Sequence, residues 1–288
     1  EGPIADEWPP ASYRALFGDL PFEAKDGQVR VVSESPREDA KRLLKDFATR
    51  AFRGRDVPDG ALEKYLAIFG EARELGHDFT EAMLVAFNTV ICSPQFLYLE
   101  MPTGELDQPA LASRLSYFLW NGPPDAPLLK TDDLHDRESL REQTDRLLND
   151  PRSQQFVDAF LDYWLDLRKM NDTAPDAGLY PDYYLDTLLA ESALLETRRF
   201  FRALIDENLP ARNLIDSDFT FVNERLARHY GLEAEQSVAL QRVALPDDSP
   251  RGGLLTQASV LKVTANGTTT SPVLRGVWMV ERLLGEHI

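Results

Sequence analysis

Apolar residues recur along most of this chain at intervals of three and four, the period of a helix with one buried face. Ala40, Leu43, Leu44, Phe47, Ala48, Ala51 and Phe52 form the first such stripe, and Ser35-Pro36 ahead of it supplies an N-cap and a first-turn proline. A second helix begins near Pro58-Asp59, buries Leu62, Tyr65, Leu66, Phe69 and Ala72, and ends around Gly76. A third covers 79–91 and is stopped by Ser93-Pro94. After a linker at 101–104, a helix over 109–120 runs into Asn121-Gly122-Pro123-Pro124, a strong breaker. A more polar helix follows over 136–149. Residues 152–168 then place Phe156, Val157, Phe160, Leu161, Trp164 and Leu165 on one stripe, a core helix. The longest helix is predicted over 183–206, with Leu185, Leu188, Leu189, Leu195 and Phe201 facing inward. Asn223 caps a short helix that buries Leu226 and Tyr230 and stops at Gly231. Two closing helices, 253–261 and 272–284, flank a threonine-rich loop.

Period-two alternation is scarce. A short strand is expected at 29–32, and 238–245 is the best remaining candidate. Residues 1–34, with Trp8-Pro9-Pro10, Phe17-Gly18 and Pro21-Phe22, predict an extended arm with one helical turn around 13–17. The class is mainly α: bundle-like helical layers, an extended N-terminal arm and at most a minor β element. The organisation expected is an arm over 1–34, a three-helix module over 35–100, a central helical module over 105–232 and a truncated C-terminal module over 236–288. The first two helical modules are expected to share a core through Phe47, Phe69, Phe87, Trp120, Phe160 and Trp164.

Composition narrows the chemistry. A formal charge of -17 argues against nucleic acid, whose phosphates require clustered Lys and Arg. No apolar run approaches the ~18 residues of a membrane span. Cys92 is the single cysteine, which excludes an internal disulfide, a thiolate metal cluster and the two thioether links of an ordinary haem c within the chain.

Candidate chemistry is sparse, and no catalytic residue is identified. His77, His135, His229 and His287 form no His-x-x-x-His or His-Glu-x-x-His pattern, so no metal site is expected. The methionines fall on core stripes or element ends, as core filling requires. Gly-x-Ser-x-Gly, the serine-hydrolase turn, is absent. Asp216 and Asp218 lack further oxygen ligands at set spacing and read as turn or capping residues. Glu196 sits beside the apolar stripe of the long helix, three residues before Arg199. It reads as half of a structural pair with an arginine, the alternative being a general base of raised pKa.

The loop over 264–271 is the densest polar feature. Thr264, Asn266, Thr268, Thr269, Thr270 and Ser271 lead into the helix at Pro272. Such donors at a helix start suit an anion, a sugar hydroxyl or a propionate. Arg251 and Arg275 would add charge-assisted bonds. The competing explanation is a loop that holds itself by Asx and Ser/Thr turns, with Ser271 as a plain cap. His229 lies in the last turn of its helix, where a cation suits the dipole, or faces a ligand. The loop and His229 are expected on one face, with Arg225, His229 or Arg275 available to a carboxylate.

Several blocks, in order, resemble a family of large secreted bacterial proteins, abundant in planctomycetes, that carry c-type cytochrome segments. Arg50-Ala-Phe-Arg53 and Ser93-Pro-Gln-Phe-Leu-Tyr98 are similar to the ends of its small helical module. Leu111-Ala-Ser-Arg-Leu-Ser-Tyr-Phe-Leu-Trp120, Asp150-Pro-Arg152 and the run from Asp218 to Gly231 are similar to its central module. The stretch from Pro250 to Gly285 resembles the start of a third. Arg53-Gly54 departs from the pattern, which usually has an arginine and a proline there. The modules have no assigned function, so the resemblance transfers no catalytic residue. It implies a periplasmic or secreted protein and a haem c attached downstream, with none held by this chain. Glu286-His287-Ile288 precedes any such site, and the chain reads as an excerpt. The function implied is a helical scaffold that positions the haem segment for electron transfer, with the rest of its own polypeptide or a cytochrome-bearing segment as partner. The alternatives are an oxidoreductase with its active site at the junction, or a carbohydrate-binding or protein-interaction module.

Overall fold

The structure, a computed structural model, describes residues 10–25, 28–99 and 103–287. Trp8-Pro9 and the Met101-Pro102 part of the expected linker lie outside the described residues. Contacts between Cα atoms divide the chain into two units: Glu1–Tyr117 with Gly122–Thr144, and Phe118–Asn121 with Asp145–Ile288. Both are mainly α, as the sequence predicts.

Unit 1 begins with α1 (Ala11–Phe17) and an antiparallel hairpin of β1 (Phe22–Lys25) and β2 (Gln28–Val31), with Phe22 opposite Val31. The described part of the arm is therefore an outer layer of this unit. Phe17 is fully buried, and the Val31 amide donates to Thr80 Oγ1 at 2.7 Å. The body is α2 (Pro36–Ala51), α3 (Asp59–Glu74) and α4 (Phe79–Ile91). Leu62, Tyr65, Leu66, Phe69 and Ala72 are the buried face of α3, the five positions its period selects. Phe87 meets Phe47 at 4.5 Å and Phe17 at 6.0 Å between ring centroids. A reciprocal capping box between Asp78 and Glu81 starts α4. Its end leads into α5 (Pro94–Leu97), whose carbonyls at Gln95 and Phe96 accept from the Arg53 guanidinium. Gly54, at φ 81°, makes the turn that points Arg53 there. Proline, fixed near φ -65°, is excluded at that position. The unit adds most of α6 (Gln108–Trp120), then α7 (Ala126–Leu129) and most of α8 (Arg137–Leu148).

Unit 2 is built on α9 (Gln154–Trp164) and α11 (Thr187–Asp206), with the short α10 (Pro181–Leu185) before the latter. Val157, Leu161 and Leu165 are fully buried and share a cluster with Phe200, Ala203 and Leu204. Phe160 remains 36% exposed, and Trp164 is partly buried. Phe47, Phe69 and Phe87 belong to a separate cluster, so the expected shared stripe is not one core. Two features of 183–206 also differ. The helix is interrupted at Asp186, and its inward face is rotated: Ser192, Ala193, Glu196, Thr197, Phe200, Ala203 and Leu204 are buried, whereas Leu188 and Leu195 are each 45% exposed. The Leu185 side chain lies outside what is described.

An antiparallel hairpin, β3 (Phe219–Val222) with β4 (Gln241–Ala244), covers α11, and Phe200 packs on Phe219 at 5.2 Å. The expected strand over 238–245 is thus shorter, and Val238 is 88% exposed. All four residues of β3 are buried, so it shows no alternation to read. Between the strands lies α12 (Glu224–Tyr230), capped by Asn223 and closed by Gly231 at φ 69°. The chain then forms α13 (Ala258–Val263) and α14 (Pro272–Met279), which passes into a π-helical turn over Val280–Leu284.

Candidate functional site

Two features of unit 2 carry polar chemistry in built surroundings, a cleft and a buried carboxylate. The cleft has a volume of about 590 Å³. One wall comes from α11, through Leu189, Ala190 and Ala193. The floor and far side come from Met170, Leu179, Tyr180 and Tyr183, and from Ala258, Leu261 and Lys262 of α13. Gly267, Thr268, Thr269, Thr270, His229 and Arg275 complete it.

The threonine-rich loop is placed by its glycine. Gly267 has φ 88°, and a Cβ there would lie 2.6 Å from the Ala174 carbonyl oxygen. Only glycine allows that approach, which lets the Asp176 amide donate to the Gly267 carbonyl at 2.8 Å. The Tyr180 hydroxyl adds a bond to the Thr268 carbonyl at 3.0 Å. Asn266 Oδ1 accepts from the amides of Thr268 and Thr269, an Asx turn.

The structure sorts the residues singled out in the sequence. His229, Thr268, Thr269, Thr270 and Arg275 come together around the cleft. Thr264 is buried and donates to the Val260 carbonyl, Asn266 holds its own turn, and Ser271 caps α14. Arg225 pairs with Asp186 at 2.5 Å. Arg251 donates to the Thr256 carbonyl and lies 3.7 Å above the Tyr230 ring. Arg275 is held by two hydroxyls, Nε to Thr264 Oγ1 at 3.2 Å and Nη2 to Thr270 Oγ1 at 2.8 Å. His229 keeps part of its ring in solvent. Partial burial and the Arg251 charge hold its pKa below the usual imidazole value. Lys262 and the two tyrosines escape sequence reading, because 173–185 has no periodicity to reveal a wall. The Lys262 ammonium donates to the carbonyls of Met170 and Thr173. Burial lowers its pKa, and Asp172 acts in the opposite direction.

The carboxylate is Glu196, 1% exposed. It has no arginine partner of the kind expected: Arg199 lies over the Phe221 ring instead. Thr220 donates to Oε1 and Tyr230 to Oε2, each at 2.5 Å. Tyr230 in turn accepts from the Ala258 amide at 2.7 Å. Burial pushes the Glu196 carboxyl up to about 7, and the two hydroxyls and the Arg251 charge oppose it in that order. The beside-lying cavity is only about 10 Å³, too small for a substrate. Glu196 therefore ties α11 to β3 and α12.

The C-terminal stretch is fastened to the same unit. The Trp164 indole donates to the Arg282 carbonyl at 2.6 Å, and the Trp278 indole to the Leu165 carbonyl at 3.4 Å. Asp166, at φ 58°, receives Arg282 at 2.7 Å.

Three family models match the chain. Each is described as a protein of unknown function: DUF1595 over residues 39–100, DUF1592 over 106–232 and DUF1588 over 251–288. All three are planctomycete cytochrome C-associated domains. No curated protein and no solved structure matches the chain.

Proposed function

From the premise that this chain belongs to the planctomycete cytochrome C-associated proteins, we propose that it is the helical scaffold of an extracytoplasmic electron-transfer protein. Its role is to position a haem-bearing segment, of its own polypeptide or of a partner. The observation that carries this reading is the fastening of 251–288 into unit 2. Trp278 and Leu254 belong to the same core cluster as Leu161 and Phe200, and Asp166 clamps Arg282. A segment joined to α14 would inherit a fixed position, which electron transfer between centres requires.

The residues of this chain do not fit a covalently held haem. Cys92 lies at the end of α4 and is followed by Ser93-Pro94-Gln95-Phe96, with no second cysteine and no adjoining histidine. No group of three or more metal-ligating side chains occurs among the described residues. In this reading the chain's contribution is placement.

The test uses the intact protein produced with its own export and haem-attachment machinery. A Soret band is expected, together with slower haem reduction in stopped-flow mixing when Arg282→Gln releases the clamp. A haem-free intact protein overturns the reading, as does an Arg282→Gln variant with unchanged reduction kinetics.

A further inference from the structure

We propose that the cleft of unit 2 is a binding site for an organic carboxylate with an apolar body, and that Arg275 receives the carboxylate. The inference stands on the cleft alone and does not depend on the scaffold reading.

Charge is the first observation. The chain carries a formal charge of -17, yet no Asp or Glu whose side chain is described lines the cleft, while Arg275 and Lys262 do. The second is the state of Arg275. Arg198, Arg202, Arg225, Arg242 and Arg282 of the same unit each pair with a carboxylate. Arg275 forms no ion pair among the described residues; two hydroxyls orient it and leave its Nη1 donors uncommitted. A guanidinium so held presents the planar fork that a carboxylate accepts.

The walls define the rest of the ligand. Leu179, Tyr180, Tyr183, Leu189 and Leu261 give an apolar lining, and about 590 Å³ lies within the range of small-molecule sites. An inorganic anion would leave those walls uncovered. A sugar would leave the hydrocarbon of Leu179, Leu189, Ala190, Ala193 and Leu261 facing its hydroxyls without polar partners. His229 adds an imidazole to the lining, its pKa held below the usual value by burial and the Arg251 charge. Preorganisation is built in, because the Gly267–Asp176 and Tyr180–Thr268 bonds fix the loop before any ligand arrives.

Calorimetric titration of the full chain with decanoate, decanol and decyltrimethylammonium tests the assignment. Decanoate is expected to bind saturably and decyltrimethylammonium not at all. Arg275→Gln is expected to weaken decanoate by about 10–100-fold, the worth of a charge-assisted bond, with little change for decanol. Ala190→Trp, which fills the cleft from α11, should abolish binding while circular dichroism stays unchanged, so a poorly folded Arg275 variant leaves the test intact. Mesoporphyrin IX, a dicarboxylate on a flat apolar ring, distinguishes the sources of the carboxylate. Displacement of decanoate assigns a porphyrin edge, and decanoate binding without displacement assigns a free organic acid. The proposal is overturned if no carboxylate binds, if the three decyl probes bind alike, or if both variants bind as the parent does.

Discussion

The two units hold their helices together by different chemistry. Between residues 36 and 91 of unit 1 the buried polar side chains are Arg53 and Thr80, and the rest of the core is hydrocarbon and aromatic ring. In unit 2, α11 alone buries Ser192, Glu196 and Thr197. These reach Thr220 of β3, Asn223 and Tyr230 at the two ends of α12, and Gln257 and Ser259 at the start of α13. Apolar contacts are tolerant of sliding and repacking, because dispersion has no direction. Hydroxyl, amide and carboxylate bonds have direction, so each fixes one register. The three-helix body of unit 1 is held mainly by volume, with Arg53 as its polar tie to α5, and unit 2 by volume and by polar registration of α11 against β3, α12 and α13.

Core truncation should show what the units share. Phe69→Ala in unit 1 and Phe200→Ala in unit 2 are each expected to cost about 3–5 kcal/mol in urea unfolding. Phe160→Ala should cost clearly less, because the ring is already 36% exposed. Three of the four tryptophans, Trp120, Trp164 and Trp278, lie in unit 2, so in a Trp8→Phe background tryptophan fluorescence follows that unit while circular dichroism follows both. Equal losses for Phe160→Ala and Phe200→Ala would contradict the rotated face of α11 and its packing on α9.

Titration should show what they do not share. The folded Glu196 carboxyl, at about 7 against 4.5 for the ordinary group, holds a proton that the unfolded chain releases between those values. Its contribution to stability therefore falls as pH rises from 4.5 to about 7, by about 3 kcal/mol in total, and stays lost above that window. Glu196→Gln removes the titration. The stability difference between parent and variant should thus slope across that window in the fluorescence transition. A flat difference would remove the buried carboxylate from the account of unit 2.

Gly267→Ala comes next in size. Its Cβ would meet the Ala174 carbonyl and its φ is left-handed, a cost of about 1–3 kcal/mol in thermal unfolding, with weakened decanoate binding beside it. The smallest effect belongs to unit 1. Asp78→Ala removes one half of a capping box and should cost about 1 kcal/mol by urea unfolding, with no change in decanoate affinity.

Why one unit was more legible than the other follows from the same chemistry. On α3 the buried face is wholly apolar, so period alone selects the five core positions. On α11 the inward face carries Ser192, Glu196 and Thr197, and the leucines at 188 and 195 draw the eye to the solvent side. Glu196 stands beside the stripe in the sequence, but its hydroxyl partners lie 24 and 34 residues away, beyond any local pattern. In the cleft, the loop, His229 and Arg275 stood out as polar groups without an apolar stripe. The wall opposite did not, because Tyr180 and Tyr183 sit in a stretch whose conformation is set by bonds to residue 267 and its neighbours. The Asn266-Gly267 pair was the local sign that the loop turns sharply there.

The fastening of α14 also has a mechanical side. Trp164, Asp166 and Arg282 form a bracket between the end of α9 and the turn before Gly285, and Trp278 adds a second bolt one helical turn earlier. Tension applied at residue 285 is therefore delivered first to the end of α9, 113 to 118 positions away in sequence. Several bonds share such a load before any one of them yields. Under traction, the last forty residues behave as a rivet through the central module and not as a tail.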